Sequence, residues 1–170
     1  MVKACSQHVR ILRKCCNAVG RFFFDAIKIG QRMTRVEFVK LKRPEKARHL
    51  CELAEQFFNE GDKILITVSD RNQAVTLDGF MWTWHKGSFI PHAYNNGAVD
   101  CLDEPIIIEI AECNPHRAEI LIMGKPCSLE FMSHFRHVID FAEVYDQQLA
   151  GDARQRYASY REAGFAVAMR

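Results

Sequence analysis

RVEFVKLKRPEKARHLCELAEQFFNEGDKILITVSD, residues 35–70, holds two different hydrophobic periods in one run. RVEFVKL (35–41) alternates around Val36 and Phe38 and reads as a strand. In RPEKARHLCELAEQFFNEG (43–61), Ala47, Leu50, Cys51, Ala54, Phe57 and Phe58 recur at the spacing of one helical face, with Pro44 near the start and Gly61 as a stop. KILITVSD (63–70) is a short, nearly continuous apolar run of the kind a strand shows when both its faces are covered. A strand, a helix and a second strand in that order imply a parallel crossover. The same reading continues outward. RNQAVTLDGFMW (71–82) is a helix with Asp70 at its cap. PIIIEIAE (105–112), AEILIMG (118–124) and HVIDFAEVY (137–145) are strands, the last two separated by SLEFMSHF, and a helix from about Gln147 to Ala163 ends at Gly164. The pattern predicts an α/β fold: an open, mostly parallel sheet with helices on both faces, Rossmann-like in layout.

Composition bounds the rest. A chain of 170 residues with 48% hydrophobic content can bury one sizeable core. The net charge of +2 is unevenly spread. Residues 1–32 carry seven Lys and Arg against Asp25 alone, whereas residues 33–170 are mildly acidic. We therefore expect residues 1–32 to be a basic extension outside the fold and residues 33–170 to be a single α/β domain. A transit-like peptide, a membrane-surface helix and a nucleic-acid arm are the functional alternatives for the extension. Seven cysteines, odd in number and without a CxxC pair, point to reduced thiols. No stretch approaches the ~18 apolar residues of a membrane span. The expected location is the cytoplasm.

An open α/β sheet often binds nucleotides, so its βα junctions are where an enzyme reading is tested. A dinucleotide site needs glycine there, because only a bare backbone lets the pyrophosphate rest on the helix N-terminus. The junctions KLKRPEKA and TVSDRNQA contain none, and GxxxxGK[ST], GxSxG and HExxH are absent. The expectation is a protein with no active site and no cofactor. Cys101, Cys113, His116 and Cys127 could be assembled into a zinc set, but their spacing matches no close-paired ligand pattern, and no metal is expected. His85 and His92 could serve as acid/base groups or as turn residues with ordinary hydrogen bonds. Asp70 and Asp78 could pair, or be a cap and a surface charge.

Two features exceed the needs of a core. FMWTWHKGSFIPH (80–92) crowds Trp82, Trp84, Phe89, Ile90 and Pro91 into a segment too short to bury them all. Such residues either close the end of the sheet or form an exposed patch of the kind that carries protein–protein affinity. In DARQRYASYREAGF (152–165), Arg154, Tyr157 and Arg161 fall at i, i+3 and i+7. That face could hold a carboxylate and an apolar side chain together, or be a solvated helix surface.

The helix with Gln73, Ala74, Leu77, Asp78 and Trp82, the turn SFIPH (88–92) and the closing ARQRYASYREAGF (153–165) together resemble the chi subunit family of bacterial DNA polymerase III. The likeness covers residues 33–170. It implies a non-catalytic replication subunit of the clamp-loader assembly, bridging the psi subunit to the acidic, Phe-ending C-terminal tail of single-stranded DNA-binding protein, with DNA reached only indirectly. By the same resemblance Trp82, Phe89 and Pro91 match the psi-binding patch, which could instead take a second partner such as a repair helicase. Arg154, Tyr157 and Arg161 match the positions that take the tail. Ala150 and Ala158 stand where relatives often carry cations, which implies weaker, less salt-sensitive tail binding. A nucleotide-dependent enzyme on the same fold and a direct nucleic-acid binder acting through the basic extension remain the competing readings.

Overall fold

The strand-helix-strand run at 35–70 folds as β1 (Arg35–Leu41), α1 (Lys46–Asn59) and β2 (Ile64–Thr67). The computed structural model describes residues 33–85, 89–97 and 102–170, which belong to the compact unit Met33–Arg170. The basic extension, with the roles considered for it, lies outside the described residues, as does Cys101. The chain continues through α2 (Arg71–Thr83), β3 (His92–Tyr94), β4 (Ile106–Glu109), β5 (Ile120–Met123), α3 (Leu129–Met132), β6 (His137–Glu143), α4 (Gln147–Glu162) and β7 (Ala166–Met169). The seven strands form one sheet in the order β3-β4-β2-β5-β6-β1-β7. Every pairing is parallel.

Burial explains why the central strands lack alternation. Each residue of ILIT, IIIE and ILIM in β2, β4 and β5 is buried, because helices cover both faces of the sheet. Ile64, Ile66, Ile106, Ile108, Ile120 and Ile122 pack against Leu50, Cys51, Ala54 and Phe57 of α1 and Ala74, Leu77 and Met81 of α2. On the other face Phe38, Leu65, Ile107 and Leu121 meet Phe131 and Met132 of α3 and Ala153 and Tyr160 of α4. Each such Leu, Ile or Phe contributes about 1.5–3 kcal/mol through its removal from water. The face expected for α1 is corrected at one end: Ala47 is exposed and Leu53 is buried.

Glycine ends α1 and α4 where the sequence places it. Gly61 and Gly164 adopt φ of +85° and +86°, the left-handed conformation that closes a helix. The following amides turn back to donate, Asp62 N to Phe57 O at 3.0 Å and Phe165 N to Tyr160 O at 3.1 Å. Gly124 has a different role, since its amide donates to Thr67 O at 2.7 Å and a Cβ there would stand 2.3 Å from that oxygen. Two strands, β3 and β7, escape the sequence reading. β3 has three residues directly behind the aromatic turn, and AVAM in β7 has one β-branched residue in four.

Candidate protein-interaction surfaces

The aromatic turn divides into an inner and an outer set. Ile90 is buried, and Trp84 packs partly into the core, where its indole N–H donates to Glu55 Oε2 at 3.2 Å. Trp82, on the last turn of α2, and Phe89 point outward, 56% and 68% exposed, with ring centroids 5.7 Å apart. Pro91 is half-buried beside them in sequence and leads into β3. The inner residues anchor the turn; the outer pair is an apolar surface held against solvent. Phe80, partly exposed one turn earlier, meets Trp84 edge-on at 5.9 Å. His92, which the sequence presents as an ordinary turn residue, lies beneath the patch with its ring centroid 4.8 Å from that of Trp82.

The closing helix keeps its three predicted residues on one helix but gives them unequal exposure. Arg154 and Arg161 are exposed, and among the described residues neither forms an ion pair. Tyr157 is half-buried against the core, 5.6 Å from the Phe38 ring on β1. Two unpaired guanidinium groups therefore flank an aromatic ring that the sheet holds still. Of the two alanines singled out on this helix, Ala150 is 7% exposed and turned into the fold, whereas Ala158 is at the surface.

A third arginine on α4 belongs to the scaffold, and its spacing gives no sign of this. Arg156 Nε and Nη2 donate to both oxygens of the buried Asp140 on β6 at 2.9 and 3.2 Å, and Nη2 also donates to Phe141 O. Tyr160 Oη donates to Asp140 Oδ2 at 3.1 Å. Burial, with the Asp140 charge beside it, holds the Tyr160 phenol well above its usual range. Arg156 Nε and Nη2 and the Tyr160 hydroxyl are all spent internally. This cluster fixes α4 to β6 and thereby sets the direction in which Arg154 and Arg161 face.

The helix N-termini that follow β2 and β6 are already occupied by carboxylates, whereas that of α1 has no side-chain cap. Asp70 accepts from Gln73 N at 2.9 Å at the start of α2, and Asp146 accepts from Leu149 N at 3.0 Å at the start of α4. A phosphate placed at either would meet a negative charge where a nucleotide site offers free N–H groups. Of the zinc candidates, His116 bonds to Ile64 O at 3.1 Å and Cys127 to Thr67 Oγ1 at 3.4 Å, which puts them at opposite ends of β2. Burial raises the thiol of Cys127 and pushes that of Cys51 up to about 12, away from nucleophilic use. Asp70 and Asp78 form no pair: the first caps α2, and the second faces His92.

The family model described as DNA polymerase III chi subunit, HolC, matches residues 33–168. The chain belongs to the DNA polymerase III chi subunit family. The DNA polymerase III subunit chi of Escherichia coli (strain K12) is 34% identical over 119 residues, 68% of this chain and 78% of that protein. The chi subunit of Pseudomonas aeruginosa is 26% identical over 136 residues, 78% of this chain and 93% of its own length. The match to the chi family thus spans the described sheet up to Ala168 in β7. Among solved structures, T4 UvsW aligns with a TM-score of 0.65 at 10% identity over 84% of this chain, and the RNA-helicase Prp28 from Chaetomium thermophilum bound to ADP with 0.54 at 12% over 83%. This chain spans 42% and 40% of those two chains, and the likeness concerns the fold alone. Among the described residues no helix is long and apolar enough to cross a membrane.

Proposed function

We propose that this chi-family chain acts in DNA replication as a non-catalytic adaptor of DNA polymerase III. One surface, Trp82 with Phe89 and Pro91, docks the psi subunit of the clamp loader. The other, Arg154 and Arg161 around Tyr157, takes the acidic, Phe-ending tail of single-stranded DNA-binding protein. The observation that carries the reading is the outward Trp82–Phe89 pair, two large rings in mutual contact and left in solvent. The unpaired guanidinium groups support the second surface, since Arg can fork onto a terminal carboxylate while an aromatic flank accepts a ring. Carboxylate caps on α2 and α4, with no glycine at the junction into α1, support an adaptor over a nucleotide-dependent enzyme.

Calorimetry on the full chain with a short acidic peptide ending in Pro-Phe tests the tail site. We expect micromolar binding that Arg154→Ala weakens about tenfold, a loss of ~1.4 kcal/mol, and that Trp82→Ala leaves unchanged. Titration with the psi subunit should show the reverse pattern. Absence of peptide binding would remove the tail site, and psi binding indifferent to Trp82→Ala would remove the patch assignment.

A further inference from the structure

The His92 side chain is fully buried, and both of its ring nitrogens face acceptors. Nδ1 lies 2.7 Å from Ile90 O, and Nε2 lies 3.2 Å from Asp78 O and 3.6 Å from the Asp78 carboxylate Oδ1. A neutral imidazole has one N–H, so it satisfies one side and turns a lone pair toward a carbonyl oxygen on the other. The doubly protonated ring donates to both. Its charge also has two suitable neighbours, the Asp78 carboxylate and the face of Trp82, whose ring centroid is within cation–π range at 4.8 Å. Among the described residues, Ile90 precedes it in the turn and Ile106 is its register neighbour on β4, both apolar and buried.

We propose that His92 is the positioning residue of the aromatic patch and that it works as an imidazolium. In that form it ties the backbone of α2 at Asp78 to the end of the turn at Ile90, and it supports the ring of Trp82 from below. Loss of one proton converts one of the two ties into an opposed pair of acceptors, releasing the turn from the helix and removing the platform under Trp82. The patch is thus ordered when both ring nitrogens carry a proton and loosened when only one does. Regulation of psi docking by this proton rests on the reading of the patch given above; the protonation and its coupling to Trp82 do not.

Two measurements on the full chain separate these claims. Long-range proton–nitrogen correlation spectra of the histidine rings, with His92 assigned by its loss in His92→Gln, should show both nitrogens of His92 protonated on the acid side of a single titration. In Trp84→Phe, which leaves Trp82 as the sole tryptophan, emission should follow the same one-proton step. A ring that is singly protonated throughout the folded range, or Trp82 emission indifferent to the step, overturns the proposal. Psi affinity should then fall about tenfold as pH is raised through the step in the wild type, and stay flat in His92→Gln. If the ring and Trp82 respond but psi ignores both pH and Trp82→Ala, the docking assignment fails while the brace stands.

Discussion

At the scale of single residues, neighbouring arginines on α4 have opposite tasks, and substitution should separate them. Arg154 is exposed and unpaired, so Arg154→Ala should change unfolding free energy by less than about 0.5 kcal/mol while weakening the tail peptide. Asp140→Ala removes both partners' acceptor and leaves the Arg156 charge uncompensated, which should cost about 3 kcal/mol in urea unfolding. The contrast could not be read from DARQRY alone, where Arg154 and Arg156 look alike. Only the pairing of α4 with β6 decides which guanidinium reaches Asp140. The outward aromatics were legible because a short turn cannot bury five apolar side chains, whereas the brace at His92 depends on contacts to α2 fourteen residues earlier. Two other histidines set a pH dependence of stability. Burial lowers His116 and His137 below the ordinary imidazole range, although Glu37 opposes the shift at His137. The unfolded chain therefore binds protons first as pH falls. Stability should be fully present above the unfolded value near 6.5 and be lost as pH drops through the folded values, by at most about 1.4 kcal/mol per pH unit for each ring. Urea unfolding of wild type and of a His116→Gln, His137→Gln double variant across mildly acidic pH would check the slope, which the double variant should flatten.

At the scale of elements, two glycines make opposite predictions. Gly124 stands where β5 passes so near β2 that a Cβ would press on the Thr67 carbonyl. Gly124→Ala should destabilise by about 2–3 kcal/mol, because backbone must move to admit it. Gly151 lies inside α4 with open space around its missing Cβ, and Gly151→Ala should stabilise by about 0.5–1 kcal/mol. Thermal melts of the two variants should shift in opposite directions. The long elements were readable because α1 repeats its apolar face over several turns and because buried strands such as IIIE carry no polar alternation. β3 and β7 were not readable. Each owes its strand state to a neighbour already in place, β4 for the first and β1 for the second, and three or four residues carry too little pattern of their own.

At the scale of the whole molecule, strand order separates the two proposed surfaces. The aromatic patch sits beside β3 at one edge, and Tyr157 lies over β1, five strands further along the order. At about 4.8 Å per strand this is roughly 24 Å, wide enough for two partners without overlap. A Trp82→Ala, Arg154→Ala double variant should therefore lose psi and tail affinity additively, within about 0.5 kcal/mol of the single losses. A linkage built this way also has a direction in which it yields. The line between the surfaces runs across the strands, so a pull between two moving partners is borne along the interstrand hydrogen bonds. Those bonds then open one strand at a time, as a zipper does, and do not resist together as they would if strands were dragged past one another. The first seam is β3, three residues long and paired to β4 alone on that edge. Under tension the proposed adaptor would peel at its aromatic end first, letting go of one proposed partner while the sheet beneath the other surface stays whole.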